Sequence, residues 1–233
     1  MSISRSDRLT PASLPNWILA YVEYMSSEEA LDRVYAASAD PAAQVELYDD
    51  WAASYDDDLA VSGYATPRRV AEMLAEHLTD RDAPIFDFGC GTGMSGRALA
   101  HAGFTAIDGA DLSTGMLEQA ERSGAYRRLW ELTAGVLDVR RGTYRALVAC
   151  GVISLGAAPA ETLTLVASAV GPGDFVVFSF NDHTLEDHEY MATLQALLDD
   201  DFEQVAAEHG VHIASREMGS TVFLLRRSSA EHS

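Results

Sequence analysis

The chain has 233 residues, 48% of them hydrophobic, which suits one α/β domain with a full core and an N-terminal extension. Its 36 acidic against 16 basic residues give a formal charge of −20, which repels a polyanion at long range and argues against DNA or RNA as a partner. Two cysteines make no disulfide framework, and no apolar run is long enough for a bilayer, so the expectation is a cytoplasmic protein without membrane or metal.

Residues 1–25 form an extension in which Trp17, Ile18, Leu19, Tyr21 and Val22 need an apolar neighbour. That neighbour is the core, a second copy or the substrate, which makes a homodimer one expected assembly. The run from Trp17 to Val22 lacks the small-residue cleavage signature of a secretory leader. Ser27-Glu28-Glu29 starts a helix with acids in its first turn, where they suit the helix dipole. Asp40-Pro41 caps and starts the next, which carries Val45, Leu47, Tyr48 and Trp51. Another runs from Thr66-Pro67 to about His77, with Val70, Met73 and Leu74 on its apolar face. The division expected is a helical extension over residues 1–80 and an α/β domain over 81–233.

The alternating part begins at Ile85. Strands are expected at 85–88, about 104–110, about 127–132, Tyr144 to Cys150 and Phe175 to Phe180. Helices fall between them at about 94–101, Ser113 to Arg122, about 160–169 and, after the fifth strand, about 186–199. Two more strands close the chain, the last near Thr221 to Arg226. Strands separated by helices specify a Rossmann-like, doubly wound parallel sheet.

The first strand, Ile85-Phe86-Asp87-Phe88, runs into Gly89-Cys90-Gly91-Thr92-Gly93, and Asp111 falls where the second strand ends. This builds a nucleoside crevice at the carboxyl edge of the sheet. Gly91, Gly93 and Gly96 also fit the dinucleotide fingerprint of a nicotinamide-dependent oxidoreductase. Against that reading, Asp87 would repel a pyrophosphate, and Asp111 follows sooner than the roughly twenty residues such a fold uses. Gly89, Gly91 and Gly93 have the spacing of G-x-G-x-G behind an acid. A carboxylate there favours a ligand carrying a sulfonium and an ammonium, which points to S-adenosylmethionine.

These segments resemble the first two motifs of the class I S-adenosylmethionine-dependent methyltransferases. More narrowly, the chain resembles the methyltransferase 27-like group, known from the Williams-Beuren syndrome region. Tyr48-Asp49-Asp50-Trp51-Ala52 with Tyr55-Asp56, Ile107 to Ser113, Met116 to Ala120 and Tyr126 to Leu129 carry the likeness, which runs from about Glu28 to Arg227. It implies a seven-stranded sheet in the order 3-2-1-4-5-7-6 with the last strand antiparallel. It also implies that Tyr48, Trp51 and Tyr55, on one helical face, close over the cofactor as a lid.

Within that frame Gly89, Gly91 and Gly93 let the backbone pass close to the methionine part of the cofactor, and Cys90 lies in the same turn. Asp87 contributes charge toward the amino group, and Asp111 accepts both ribose hydroxyls. Leu112 and Met116 cover an adenine face, beside Leu132 and Thr133 after the third strand. The family carries an acid where this chain has Thr133, and Asp138 is a candidate substitute. Cys150 and Gly151, at the end of the fourth strand, lie where methyl group and acceptor meet. The following Val152-Ile153-Ser154 lacks the Asn/Asp-Pro-Pro-aromatic pattern of enzymes that methylate base amino groups. Asp182 and His183, just past the fifth strand, are the candidate catalytic pair for an acceptor that must lose a proton. The expected function is methylation of a small molecule. The altered loops at Thr133 and Ser154 keep a non-catalytic S-adenosylmethionine-binding protein as the alternative.

Overall fold

The computed structural model of the protein describes residues 63–229. The expectations for the N-terminal extension, the helices starting at Ser27 and Asp40, and the lid residues Tyr48, Trp51 and Tyr55 lie outside the described residues.

The first described helix, α1, is Thr66–His77, with a proline in its first turn where a missing N–H costs nothing. Val70, Ala71, Met73 and Leu74 are its buried stripe. There follow β1 (Ile85–Phe88), α2 (Met94–His101), β2 (Ile107–Asp111), α3 (Thr114–Ser123), β3 (Arg128–Glu131), β4 (Ala146–Ala149), α4 (Glu161–Ser168) and β5 (Phe175–Asn181). Strand β2 begins three residues later than its apolar run suggests and carries Asp111 as its last residue.

The helix expected at about 186–199 is present at 188–199, and a short helix that was not expected precedes it. Asn181 caps a short α5 (Asp182–Leu185) by accepting from Thr184 N at 2.9 Å, and Asp187 caps α6 (His188–Asp199) by accepting from Glu189 N at 2.8 Å. Both residues offer a side-chain oxygen to an otherwise unsatisfied N–H, so each starts a helix rather than continuing one. The chain ends in β6 (Phe202–Ile213) and β7 (Met218–Arg227).

The seven strands form one sheet in the order β3-β2-β1-β4-β5-β7-β6. Strand β7 pairs antiparallel with both β5 and β6, and the pairs from β3 to β5 are parallel. The order and the reversed strand are as the resemblance implied. Parallel strands covered on both faces must be apolar on both, and every residue of β1, β4 and β5 is buried. Alternation divides them. Phe86, Phe88, Leu147, Phe178 and Phe180 pack under α4 and α6, while Ile85, Ile107, Val148 and Val177 pack under α1 and α2.

Register sets the functional edge. Asp87 lies opposite Gly109 and Phe88 opposite Ala110, and Gly89 and Cys90 N both donate to the Ala110 carbonyl at 2.8 and 3.0 Å. The glycine turn therefore leaves the sheet beside Asp111. No helix among the described residues is long and apolar enough to cross a membrane.

Candidate functional site

A cavity of about 500 Å³ opens at the carboxyl ends of β1, β2 and β4. Gly89 and Gly91 form one wall, and Asp111, Leu112 and Met116 form the next. Leu132, Thr133 and Gly135, after β3, continue it, and Cys150, Gly151 and Val152 close the β4 side. The first turn of α4 contributes Glu161, Thr162 and Leu165. Asp87, Cys90, Gly93, Asp182 and His183 are not on these walls.

Asp111 is held from two directions. Its Oδ2 accepts the Gly91 N–H at 2.8 Å and its Oδ1 the Ser113 N–H at 2.9 Å. Ser113 in turn caps α3, its Oγ accepting from Met116 N at 3.0 Å. A carboxylate oxygen has two lone pairs and can accept more than one donor.

The three glycines of the turn all have positive φ, at +65°, +52° and +90° for Gly89, Gly91 and Gly93. They differ in what a side chain would meet. A Cβ on Gly91 finds nothing within 4 Å and would project into free space, whereas one on Gly89 would lie 2.6 Å from Val152 Cγ2. On Gly93 it would come within 3.1 Å of both Ser123 Oγ and the Tyr126 ring. Of the three, only Gly91 has an empty Cβ direction. The others are glycine because protein surrounds them.

Asp87 points to the opposite face of β1 from Phe86 and Phe88 and is fully buried. Its Oδ2 accepts from Ser95 Oγ at 2.6 Å and from Tyr126 Oη at 2.7 Å, while Oδ1 has no hydrogen-bond partner. Burial pushes its carboxyl up to about 6, against the two hydroxyl donors and with a further push from Asp111. Tyr126 entered the sequence reading only as part of the family likeness, without a role. It lies 39 residues from its acid, and no local spacing marks that pairing.

Cys90 and Cys150 are free, on the neighbouring strand ends of β1 and β4. Burial and the charges of Asp87 and Asp111 push the Cys90 thiol well up, and burial and Asp87 push Cys150 up to about 12. Both are therefore protonated thiols at neutral pH and poor nucleophiles.

Asp182 is engaged elsewhere. It accepts from the Gly219 N–H at 2.7 Å and pairs with His209 Nε2 at 2.9 Å, and that pairing holds its carboxyl below the ordinary range. His183 is exposed. Asp138 is exposed and stands off the cavity. A second unforeseen knot is the buried Asp108, which joins Arg127 and Arg128 at 3.1 and 2.6 Å and Tyr144 Oη at 2.8 Å. Burial opposes its charge, but the donors from Arg128, Tyr144 and Arg127 outweigh it and lower its pKa.

A seven-stranded sheet with one reversed strand, a glycine turn and an acid at the next strand end are the architecture of the S-adenosylmethionine-dependent methyltransferase family, and a methyltransferase domain matches residues 85–173. The human methyltransferase-like protein 27 is 34% identical over 187 residues, covering 78% of this chain and 76% of that protein, and the chain belongs to its family. Among solved structures, a methyltransferase in complex with the Haloferax volcanii Trm112 activator superposes with a TM-score of 0.62 at 16% identity, covering 78% of this chain and 97% of that one. The ribosomal protein L11 methylase of Lactobacillus delbrueckii subsp. bulgaricus gives 0.53 at 19%, covering 71% and 81%. The [4+2]-cyclase SpnF gives 0.54 at 15%, covering 70% and 82%.

Proposed function

We propose that this chain binds S-adenosylmethionine in the cavity beside Asp111 and transfers its methyl group to a small molecule. The observation that carries the reading is the Gly91–Asp111 contact. The turn N–H and the strand-end acid are already joined, and Gly91, the one glycine of this turn whose Cβ direction is empty, borders the space next to them.

The residues suit such a ligand. Asp111 has acceptor capacity for the two ribose hydroxyls, and Leu112, Met116 and Leu132 give the adenine an apolar bed. Gly89 and Gly91 let the backbone border the methionine part, and Cys150 and Gly151 lie at the methyl end. Cys90 and Gly93 shape the turn from behind. Asp87, with one buried oxygen unpaired, supplies negative potential to an ammonium on the far side of the turn. Tyr48, Trp51 and Tyr55 close the site in this reading. Thr133 lines the adenine side with a hydroxyl in place of an acid.

When bound, the cofactor supplies an electrophilic methyl group on a sulfonium. The chain's contribution is alignment, which can supply much of the rate of a bimolecular displacement. Among the described residues lining the cavity, the ionisable side chains are Asp111, Cys150 and Glu161. Asp111 is committed and Cys150 holds its proton, so neither offers a base to an acceptor. Asp182 and His183 stand off the walls, and the reading uses neither.

A second reading rests on a specific likeness: a [4+2]-cyclase shares the fold, so the fold alone does not fix methyl transfer. Calorimetric titration of the full chain with S-adenosylhomocysteine and with NADH tests the cofactor, the first binding and the second not. Formation of S-adenosylhomocysteine with candidate acceptors tests the reaction. A chain that binds the cofactor product but never forms it from S-adenosylmethionine would support the non-catalytic reading instead.

A further inference from the structure

The cavity carries two carboxylates among the described residues lining it, and the proposed function uses one. The other is Glu161, in the first turn of α4. We propose that Glu161 recognises the base of the cofactor, its carboxylate accepting the exocyclic amino group of the adenine. The inference rests on the cofactor reading above and assigns its base specificity.

The wall that follows β3 gives an adenine amino group little to hold. Thr133, Ala134 and Gly135 line it, none with a charge, and the flanking acids in sequence, Glu131 and Asp138, both stand off the cavity. On α4, Glu161, Thr162 and Leu165 line the same cavity from one side of the helix, as their spacing of one and four residues dictates. The turn that carries them is pinned. Ala158 N donates to Val152 O at 3.0 Å, Ser154 N donates to Ala158 O at 3.2 Å, and Tyr190 Oη donates to the same carbonyl at 3.1 Å. Glu161 therefore starts from a fixed backbone at the cavity rim.

Its carboxylate makes no hydrogen bond or ion pair with any described residue, so it is an acceptor without a donor on a wall where a donor is expected. Asp111 cannot serve both ends of a nucleoside, because Gly91 and Ser113 fix it at the end of β2. A carboxylate attracts the amino group of adenine. It repels the carbonyl oxygen that hypoxanthine presents at the same position, so the recognition is also a rejection.

An acid in the first turn of a helix also stabilises that helix by its charge alone, and the test separates the two roles. The full chain is titrated with S-adenosylhomocysteine and with S-inosylhomocysteine, which carries a carbonyl in place of the amino group and a hydrogen on N1. The wild type should prefer the adenine compound by about 10- to 100-fold, the worth of one charge-assisted hydrogen bond. In Glu161→Ala the preference should fall to within about threefold. In Glu161→Gln, whose amide can donate to the carbonyl as well as accept from the amine, the inosine compound should gain affinity while the adenine compound loses it. Asp111→Ala should weaken both compounds alike and leave the preference intact. Unchanged preference in both Glu161 variants, or no preference in the wild type, overturns the assignment and leaves the cofactor reading standing. A wild type that binds neither compound overturns the cofactor reading, and Glu161 with it.

Discussion

Two polar clusters occupy the same edge of the sheet, one at the ends of β1 and β2 and one at β5, β7 and β6. The second is closed. Thr66 Oγ1 meets His212 Nδ1 at 2.7 Å and Ser220 Oγ at 3.1 Å, and the buried Arg69 guanidinium donates to Ser220 O and Oγ, Val211 O and Glu208 O at 2.6–3.2 Å. The first cluster is open. Asp87 keeps an unpaired buried oxygen, and Asp111 borders free space. A closed network fixes how α1 sits on the sheet, whereas an open one pays a standing cost that a ligand can relieve.

The sharpest way to break this contrast is Gly91→Val. The new side chain enters the cavity and should remove detectable S-adenosylhomocysteine binding, at least about a thousandfold, or about 4 kcal/mol. Its positive φ adds only about 1–2 kcal/mol of strain, so circular dichroism should stay native. Arg69→Ala should do the reverse. It strands four acceptors and should cost about 3–4 kcal/mol in urea unfolding, while the folded fraction binds S-adenosylhomocysteine with unchanged affinity. A drop in affinity there would mean that the two clusters are coupled.

The clusters also carry opposite pH signatures. Asp87 has its pKa raised from 3.8 to about 6, so the folded chain holds an extra proton between those values and its stability falls as pH climbs through them. His212 is lowered from 6.5 to about 4, mainly by burial, so the unfolded chain takes the proton first and stability rises over that interval. Each shift of about two units is worth roughly 3 kcal/mol, and the two nearly cancel between about pH 4 and 6. Asp87→Asn should unmask the histidine. Urea unfolding of the variant should show stability at pH 7 raised by about 1–3 kcal/mol and lost steeply on acidification, where the wild type changes less. Comparable in size is Asp111→Ala, which should weaken S-adenosylhomocysteine by about 1.5–3 kcal/mol, and unchanged affinity in a folded variant would sink the ribose assignment.

Most of the open cluster was legible because its parts are local. The glycine spacing, Asp87 at the mouth of β1 and Asp111 at the end of β2 follow from strand length and turn chemistry. The closed cluster was not legible. Thr66 meets His212 and Ser220 across 146 and 154 residues, and only the reversed strand β7 brings them together. Asp182 was read from its strand end as facing the site, but a partner on β6, His209, claims it. The short helix α5 was legible in principle, since Asn181 is a strong cap residue, but four residues are too few for a periodic pattern.

The Tyr126 ring has a consequence for descent. A Cβ on Gly96 would run into the ring, and one on Gly109 would lie 2.7 Å from it, so both glycines make room for a phenol and not for a cofactor. Gly96 is also the residue that completes the false dinucleotide fingerprint. Across relatives that keep this packing, a larger residue at 96 or 109 should occur only with a smaller one at 126, and such exchanges should leave the cofactor unchanged. The third glycine of that fingerprint is thus a record of the tyrosine beneath it.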